Sequence, residues 1–183
     1  MEGAPLARGF RGSEEVKVDA KGRVSIPAKF RRIFEASDPD FAPGKRAQLV
    51  IVSGTQEWNW LQLFTIEAME EIEQGIARMP RGSGPRNLLE YIYQGNADDA
   101  EIDGDGRLVL PQKLREKIGL TDSAFFISAG DSLKVWTPES QREAARAIEA
   151  RVPELEPGAD PLSLLTMAQP QNPPQTQPQS QVD

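Results

Sequence analysis

The sequence predicts an α+β protein built from two copies of one strand, turn, strand and helix unit. Residues 18–33, VDAKGRVSIPAKFRRI, align without gaps on residues 102–117, IDGDGRLVLPQKLREK, at an offset of 84 residues. Each segment passes from alternating apolar residues through a turn sequence into a helical pattern. The chain of 183 residues is 38% hydrophobic, which is enough for a globular core. We therefore expect a single compact unit that arose by tandem duplication.

The residues common to both copies shape turns or carry charge. Six of the sixteen aligned positions are identical, which chance rarely produces at such informative residue types. The identical pairs are Asp19 and Asp103, Gly22 and Gly106, Arg23 and Arg107, Pro27 and Pro111, Lys29 and Lys113, and Arg31 and Arg115.

In each copy an Asp-x-x-Gly-Arg turn leads into a β-rich run, residues 24–26 or 108–110, and then into a proline at the first position of a short helix. Phe30, Ile33 and Phe34 are spaced i, i+3 and i+4, so they predict the buried face of the first helix. The outer face of that helix then carries Lys29, Arg31 and Arg32.

The second helix repeats this pattern, with Leu114 and Ile118 facing inward and Gly119 as its C-terminal cap. A hairpin follows in each copy, and the second hairpin turns at Gly130 and Asp131. The predicted hairpin strands are residues 49–52 and 60–64 in the first copy and residues 124–128 and 133–136 in the second.

Each hairpin leads into a further helix at a threonine cap, Thr65 or Thr137, and Pro138 follows the second cap at the first helical position. The helix after Thr65 has an apolar stripe at Ile66, Met69, Ile72, Ile76 and Met79. The predicted segments are a first repeat at 1–79, a linker with a short helix at 80–97, a second repeat at 98–151 and a disordered Gln/Pro-rich tail at 152–183.

Composition excludes several classes of chemistry. The chain contains neither histidine nor cysteine, which removes disulfides, thiolate or imidazole metal sites, cysteine nucleophiles and histidine-based hydrolases. No apolar run approaches the roughly 20 residues that span a bilayer, and the opening MEGAPLARGF lacks the apolar core of a signal peptide. We therefore expect a cytoplasmic protein.

The net charge of −7 hides a local basic segment. Residues 17–34 carry six Lys or Arg against the single acid Asp19, a net of +5, whereas residues 101–118 carry four of each sign. Asp105 stands in the second copy where the first has Lys21. The first copy is thus the better match for a polyanion, and we expect the second to complete the fold or to contact other protomers.

Two readings of the turn at Asp19 to Arg23 remain open on these residues alone. Asp19 and Gly22 suit any tight hairpin, because Asp accepts backbone hydrogen bonds and Gly supplies a positive φ. An Arg fork at Arg23 beside Lys17 and Lys21 also suits contacts to DNA phosphates and to guanine O6 and N7.

A cluster of acids gives a weaker alternative. Its members are Asp98, Asp99, Glu101, Asp103 and Asp105. An EF-hand that starts at Asp99 or Asp103 would require a glutamate at its twelfth position, where the chain has Leu110 or Leu114. We therefore predict no metal site and no cofactor, and a carboxylate-dependent hydrolase stays a minor alternative without an identifiable acid and base pair.

The two turn segments, the FRG of residues 10–12 and the hairpin ending in KVWTPE together resemble the MraZ family of bacterial transcriptional regulators over residues 10–151. The resemblance implies two SpoVT-AbrB-type swapped-hairpin repeats that form one pseudo-symmetric β-barrel with peripheral helices. It also implies a ring of protomers that binds G-rich direct repeats of double-stranded DNA in its own promoter.

The resemblance further implies repression of the division and cell wall gene cluster, a location at the nucleoid, and neither a membrane nor a small-molecule substrate as partner. Carried over by position, the DNA-binding residues are Lys17, Asp19, Lys21, Gly22, Arg23 and, in the second copy, Arg107. The same fold serves in antitoxins that bind a toxin protein, which is the main rival function.

Overall fold

The computed structural model describes residues 9–150 and 158–167 of the chain. Within these ranges the chain forms one eight-stranded antiparallel sheet and six α-helices. The strands are β1 Ser13–Lys17, β2 Arg23–Ser25, β3 Ala47–Val52, β4 Leu61–Phe64, β5 Ala97–Ile102, β6 Arg107–Val109, β7 Ser123–Ala129 and β8 Ser132–Trp136. The α-helices are α1 Ala28–Ala36, α2 Ile66–Ala77, α3 Gly84–Glu90, α4 Gln112–Ile118, α5 Pro138–Glu149 and α6 Leu164–Met167.

The sheet curls into a nearly closed barrel. Its strand order is β1-β7-β8-β4-β3-β5-β6-β2, and every neighbouring pair is antiparallel. A bridge between Val18 and Val24 joins the two ends of this order, because Val18 directly follows β1 and Val24 lies in β2. Closure removes the exposed sheet edges that would otherwise pair with other chains.

Strand exchange between the repeats builds this barrel. The first strand of the first repeat, β1, pairs with β7 of the second, and the first strand of the second repeat, β5, pairs with β3 of the first. The equivalent strands β2 and β6 pair with each other, and so do β4 and β8. The predicted α+β fold of two swapped-hairpin repeats is therefore confirmed, and neither repeat closes a barrel without the other.

The barrel interior holds one apolar cluster to which both repeats contribute. Phe30 and Phe34 of α1 and Leu114 and Ile118 of α4 are buried in it, as the helical spacing predicts, while Ile33 is only partly buried. Leu108 and Val24 face each other across the β2 and β6 pair with no exposed surface. Burying such side chains contributes about 1.5–3 kcal/mol each, so both repeats depend on the shared core.

Helix starts follow the predicted signals with one shift. Pro27 and Pro111 are N-cap residues with ψ near 140°, so α1 and α4 begin one residue later than predicted. The side chains of Thr65 and Thr137 cap the next helices by accepting from the backbone N–H of Ala68 and Ser140, at 3.1 Å in each case. Both predicted hairpins form, and Gly119 ends α4 with a φ of 68°.

Outside the barrel, α2 and the linker cover a second apolar cluster. Met69 of α2 is buried there against Val50, Val52 and Phe64, while Ile66 and Ile72 pack against it in part. The linker runs through α3 and a π-helical segment, Tyr91–Gly95, whose Ile92 joins the same cluster. The short linker helix that the sequence predicts is therefore present.

The chain divides into two compact units, and the second begins at residue 146. This second unit contains the end of α5, a 3-10 turn at Pro161–Ser163 and α6. Asp160 caps this turn by accepting from the backbone N–H of Leu162 at 2.9 Å, and Pro161 occupies an early helical position. Regular structure thus occurs inside the range that the sequence predicts as tail. The Gln/Pro-rich residues 168–183 lie outside the described residues. None of the described helices is both long and apolar enough to cross a bilayer.

Candidate nucleic-acid interface

The first turn has a rigid backbone. Oδ1 of Asp19 accepts from the backbone N–H groups of Lys21 and Arg23, each at 2.9 Å. The N–H of Gly22 donates to the carbonyl of Asp19 at 2.8 Å, and Gly22 has a φ of +76°. Residues other than glycine rarely adopt this left-handed conformation, so Gly22 is required by the turn itself.

The same carboxylate also holds the side chain of Arg23. Nε of Arg23 donates to Oδ2 of Asp19 at 2.6 Å, although both side chains are about a third exposed, at 31% and 39%. The backbone N–H of Arg23, followed by its side chain, lowers the pKa of Asp19 from 3.8 to about 2. Asp19 is therefore ionised at neutral pH, and it orients a guanidinium whose terminal nitrogens have no hydrogen-bond partner among the described residues.

The second turn repeats this geometry with more acid. Asp103 accepts from the backbone of Asp105 and Arg107 at 2.9 Å each, and from Nε of Arg107 at 3.2 Å. The carboxylate of Asp105 pairs in addition with a terminal nitrogen of Arg107. These contacts lower the pKa of Asp103, mainly through the backbone N–H of Arg107, and the hydrogen bond to Asp103 raises the pKa of Arg107. Arg107 is thus engaged by two carboxylates, where Arg23 is engaged by one.

Both turn arginines lie on one face of the barrel. In the β2 and β6 pair, Arg23 is opposite Val109 and Arg107 is opposite Ser25. The intervening pair, Val24 and Leu108, is fully buried, and side chains alternate between the faces of a strand. The two arginines therefore point outward as diagonal neighbours on a two-stranded ribbon. Such diagonal positions are typically about 7–8 Å apart.

Each turn is locked by the other repeat. The N–H of Ile26, just after β2, donates to the carbonyl of Gly106 at 2.8 Å. The N–H of Leu110, just after β6, donates to the carbonyl of Gly22 at the same distance. The exposed turn residues consequently project from a backbone that is fixed at both ends, which favours binding without rearrangement.

The predicted lysines are placed beside this ribbon. Lys21 is exposed in the first turn, and Lys17 is exposed at the end of β1, which the bridge between Val18 and Val24 brings alongside β2. Neither lysine forms an ion pair within the described part of the chain. The residues predicted from the first copy are thus adjacent, and Arg107 joins them from the second.

The basic face predicted for α1 is largely neutralised. Nζ of Lys29 lies 2.6 Å from a carboxylate oxygen of Glu14 on β1, and Arg31 pairs with Glu35 at 3.5 Å. Arg31 also reaches the second turn, because a Cβ built on Gly106 would collide with its guanidinium. Arg32 alone among the three is exposed with no ion pair among the described residues.

Sequence reasoning missed Arg115 at the first turn. This residue of α4, in the second repeat, lies against Gly22, so that a Cβ built there would be 2.6 Å from its Nε. Only the exchange of strands between repeats brings the two residues together, and the identity of Arg115 with Arg31 in the repeat alignment is the one local signal of it.

The acidic cluster does not assemble into a metal site among the described residues, where no group of three or more carboxylates is placed to hold an ion. Asp98, Asp99 and Glu101 lie along β5 opposite Ile51, Val50 and Gln48, so Asp98 points to one side of the sheet while Asp99 and Glu101 point to the other. Glu101 pairs with Arg46.

Comparison with known proteins gives one consistent result. A family model described as "MraZ protein, putative antitoxin-like" matches residues 10–84 and 94–151. A protein named transcriptional regulator MraZ from Ruegeria sp. (strain TM1040) is 48% identical over 161 residues, covering 87% of this chain and 96% of the relative.

More distant relatives carry the same name. The protein from Ruegeria pomeroyi (strain ATCC 700808 / DSM 15171 / DSS-3) is 45% identical with the same coverage. The protein from Coxiella burnetii (strain Dugway 5J108-111) is 32% identical over 137 residues, covering 75% of this chain and 84% of the relative. The similarity therefore extends over both repeats and the linker between them.

Proposed function

The chain belongs to the MraZ family, and from this membership we propose that it is a sequence-specific DNA-binding transcriptional regulator. The observation that carries the proposal is the outer face of the β2 and β6 ribbon, where Arg23 and Arg107 project beside each other from locked turns. The names of the relatives support the regulatory role, since each is called a transcriptional regulator.

The chemistry of the first turn fits a DNA duplex. The major groove admits a two-stranded β-ribbon, and guanine presents O6 and N7 there as a pair of acceptors for an arginine fork. Asp19 occupies only Nε of Arg23, so the terminal nitrogens can make that contact. We assign phosphate contacts to the exposed Lys17 and Lys21, because such contacts fix the position of a protein on DNA without reading its sequence.

The first turn is the principal contact and the second is subsidiary. Asp105 occupies a terminal nitrogen of Arg107 that would otherwise be open to an acceptor on DNA, and Asp105 would face the phosphates with a like charge. At the equivalent position the first turn has the exposed Lys21, which forms no ion pair within the described ranges. We propose that the second turn mainly completes the ribbon and contributes to contacts between protomers.

A single turn offers few phosphate contacts, and non-specific binding of that kind is weak at physiological salt. We therefore propose a homo-oligomeric ring that engages consecutive G-rich direct repeats. Linked binding raises avidity by about 10² to 10⁴. Neighbours related by rotation present the same turn in the same sense, which matches direct rather than inverted repeats. By family membership we propose the chain's own promoter, ahead of the division and cell wall genes, as the target, with repression as the outcome and the nucleoid as the location.

The main rival is an antitoxin that binds a toxin protein, a role to which the description of the matching family model alludes. A toxin-binding role places no demand on an outward arginine pair, whereas DNA binding uses it. We also propose that the chain is not an enzyme, because its ionised turn carboxylates, Asp19 and Asp103, are both engaged by arginines.

The test is a gel-shift titration of the full chain on the duplex directly upstream of its own coding region. A scrambled duplex of the same composition is the control, and both are titrated with salt. We expect preferential binding to the upstream duplex and loss of that preference in Arg23→Ala. Arg142→Ala is the matched control variant, because it removes one exposed positive charge from α5, which contributes no residue to the ribbon. Equal affinity for both duplexes in the unmodified chain would contradict the proposal.

A further inference from the structure

We propose that Arg115 of the second repeat contacts DNA together with the first turn, so that the DNA site of each protomer is made by both repeats. The inference rests on the proposed DNA-binding function and adds to it a residue that lies 92 positions from Arg23 in the chain. It also predicts that Arg31, the equivalent residue of the first repeat, has no such role.

The position of Arg115 is defined by the backbone of the first turn. A Cβ built on Gly22 would lie 2.6 Å from Nε, 2.8 Å from Cζ and 2.9 Å from Nη2 of Arg115. The guanidinium therefore lies directly against Gly22, the residue between Lys21 and Arg23. Three basic groups from two repeats consequently meet at one turn.

A hydrogen bond holds Arg115 in this place. Its Nε donates to the backbone carbonyl of Leu110 at 3.0 Å. The backbone N–H of Leu110 in turn donates to the carbonyl of Gly22 at 2.8 Å. The guanidinium is thus attached to the strand end that locks the first turn. Less side-chain freedom is lost on binding when a residue is already fixed in this way.

Arg115 also keeps its charge uncompensated. It forms no ion pair with any carboxylate among the described residues, and it is half-buried rather than enclosed. Arg31 occupies the equivalent place over Gly106, but it pairs with Glu35. A guanidinium without a carboxylate partner is the one that a phosphate or a guanine edge can engage without breaking an existing ion pair.

Arg115 and Arg31 each add their charge to the turn of the other repeat, and they thereby change the charge balance of both turns. The first turn gathers Lys21, Arg23 and Arg115 against the single carboxylate of Asp19. The second turn gathers two cations, Arg107 and Arg31, against three carboxylates, those of Asp103, Asp105 and Glu35. The difference in charge between the turns therefore depends on how the two repeats pack together. Arg115 supplies one of the three positive charges at the first turn.

The test compares matched substitutions in the full chain. Arg115→Gln removes the charge and keeps a side-chain donor for the carbonyl of Leu110, Arg115→Lys keeps the charge, and Arg31→Gln is the control from the equivalent helix. Binding to the upstream and scrambled duplexes is measured at several salt concentrations, with thermal unfolding of each variant alongside. Arg23→Ala is included as a reference for loss of the proposed function.

We expect Arg115→Gln to lower affinity about tenfold or more and to reduce the salt slope, by about one for each phosphate contact removed. Arg115→Lys should recover part of the affinity, and Arg31→Gln should stay within about twofold of the unmodified chain. If Arg115→Gln folds and binds within twofold while Arg23→Ala does not, the inference is wrong and the proposed function stands.

Other results also decide the matter. An equal loss of DNA affinity in Arg31→Gln would show that the effect comes from overall charge or from packing. Failure of Arg115→Gln to fold would show that Arg115 is a structural residue. Either result overturns the inference. If the unmodified chain does not prefer its upstream duplex, the proposed function itself fails.

Discussion

The carboxylate of Asp19 accepts two hydrogen bonds from Arg23, one from its backbone N–H at 2.9 Å and one from its Nε at 2.6 Å. The turn and its arginine are therefore shaped by the same group. Removing the carboxylate releases the side chain and two backbone donors of the turn together.

We expect Asp19→Ala to weaken DNA binding although it removes a negative charge from a DNA-binding surface. A purely electrostatic view predicts tighter binding for the same change, so the sign of the effect discriminates. Gel-shift affinity on the upstream duplex is the measurement. Asp98→Ala, which removes an exposed acid from β5, is the control and should bind as well as the unmodified chain or slightly better.

The pKa of Asp19 makes a pH-dependent contribution to stability. The folded value of about 2 lies below the ordinary 3.8, so the stabilisation is present above about pH 4 and is lost as the pH falls through the folded value. We expect the free energy of unfolding of the unmodified chain to exceed that of Asp19→Asn by a constant amount at neutral pH. This difference should shrink between about pH 4 and pH 2. A difference that stays constant down to pH 2 would show that the ionised pair does not stabilise the fold.

Gly22 should be among the least tolerant positions of the first turn. Alanine there must adopt a left-handed φ, which costs about 1–2 kcal/mol, and must also displace the guanidinium of Arg115. Gly104 of the second turn is the matched control, because a Cβ there meets no atom within 4 Å and its φ is not in the left-handed region. We expect a lower thermal midpoint for Gly22→Ala and little change for Gly104→Ala, as followed by circular dichroism.

Oligomerisation should precede DNA binding. The ring proposed above would cover Leu88 of α3 and Tyr91, which directly follows that helix, since both side chains are about half exposed in the protomer. We expect light scattering without DNA to report an assembly larger than a dimer at micromolar concentration. Only monomer under these conditions would remove the ring from the proposal.

Local elements were predictable because their signals are local. Helix burial followed the spacing of Phe30 and Phe34, and the helix starts followed Thr65 and Thr137 to the residue. The helix start predicted from the proline was wrong by one position, because Pro27 has the extended ψ of an N-cap residue and not a helical ψ. A fixed proline φ fits both positions, so the residue type alone does not separate them.

The site was predictable only in part. Asp19, Gly22 and Arg23 lie close in the chain, and their turn geometry follows from residue type. Counting charge along residues 17–34 nevertheless included Arg31 in the basic segment of the first copy, although its guanidinium lies at the second turn and Arg115 lies at the first. A count along the sequence cannot detect this, because both repeats carry an arginine at the same aligned position and only the pairing of strands decides where each one lies.

The asymmetry of the two turns leads to the sharpest prediction. Arg23→Ala removes a fork donor aimed at guanine or phosphate and should cost about 1–3 kcal/mol for each engaged protomer. The observed loss should be larger, because several protomers bind at once. Arg107→Ala should affect DNA binding less, since Arg107 is already paired with Asp103 and Asp105.

Gel shifts on the upstream duplex measure both losses, and light scattering checks whether Arg107→Ala weakens assembly instead. Both arginines lie on exposed turns whose backbone is held by hydrogen bonds of the main chain, so circular dichroism should be unchanged. Wild-type binding by Arg23→Ala together with loss of binding by Arg107→Ala would assign DNA recognition to the second turn. In that case the two carboxylates around Arg107 would act as positioning groups, and the ordering of the turns by net charge would be wrong.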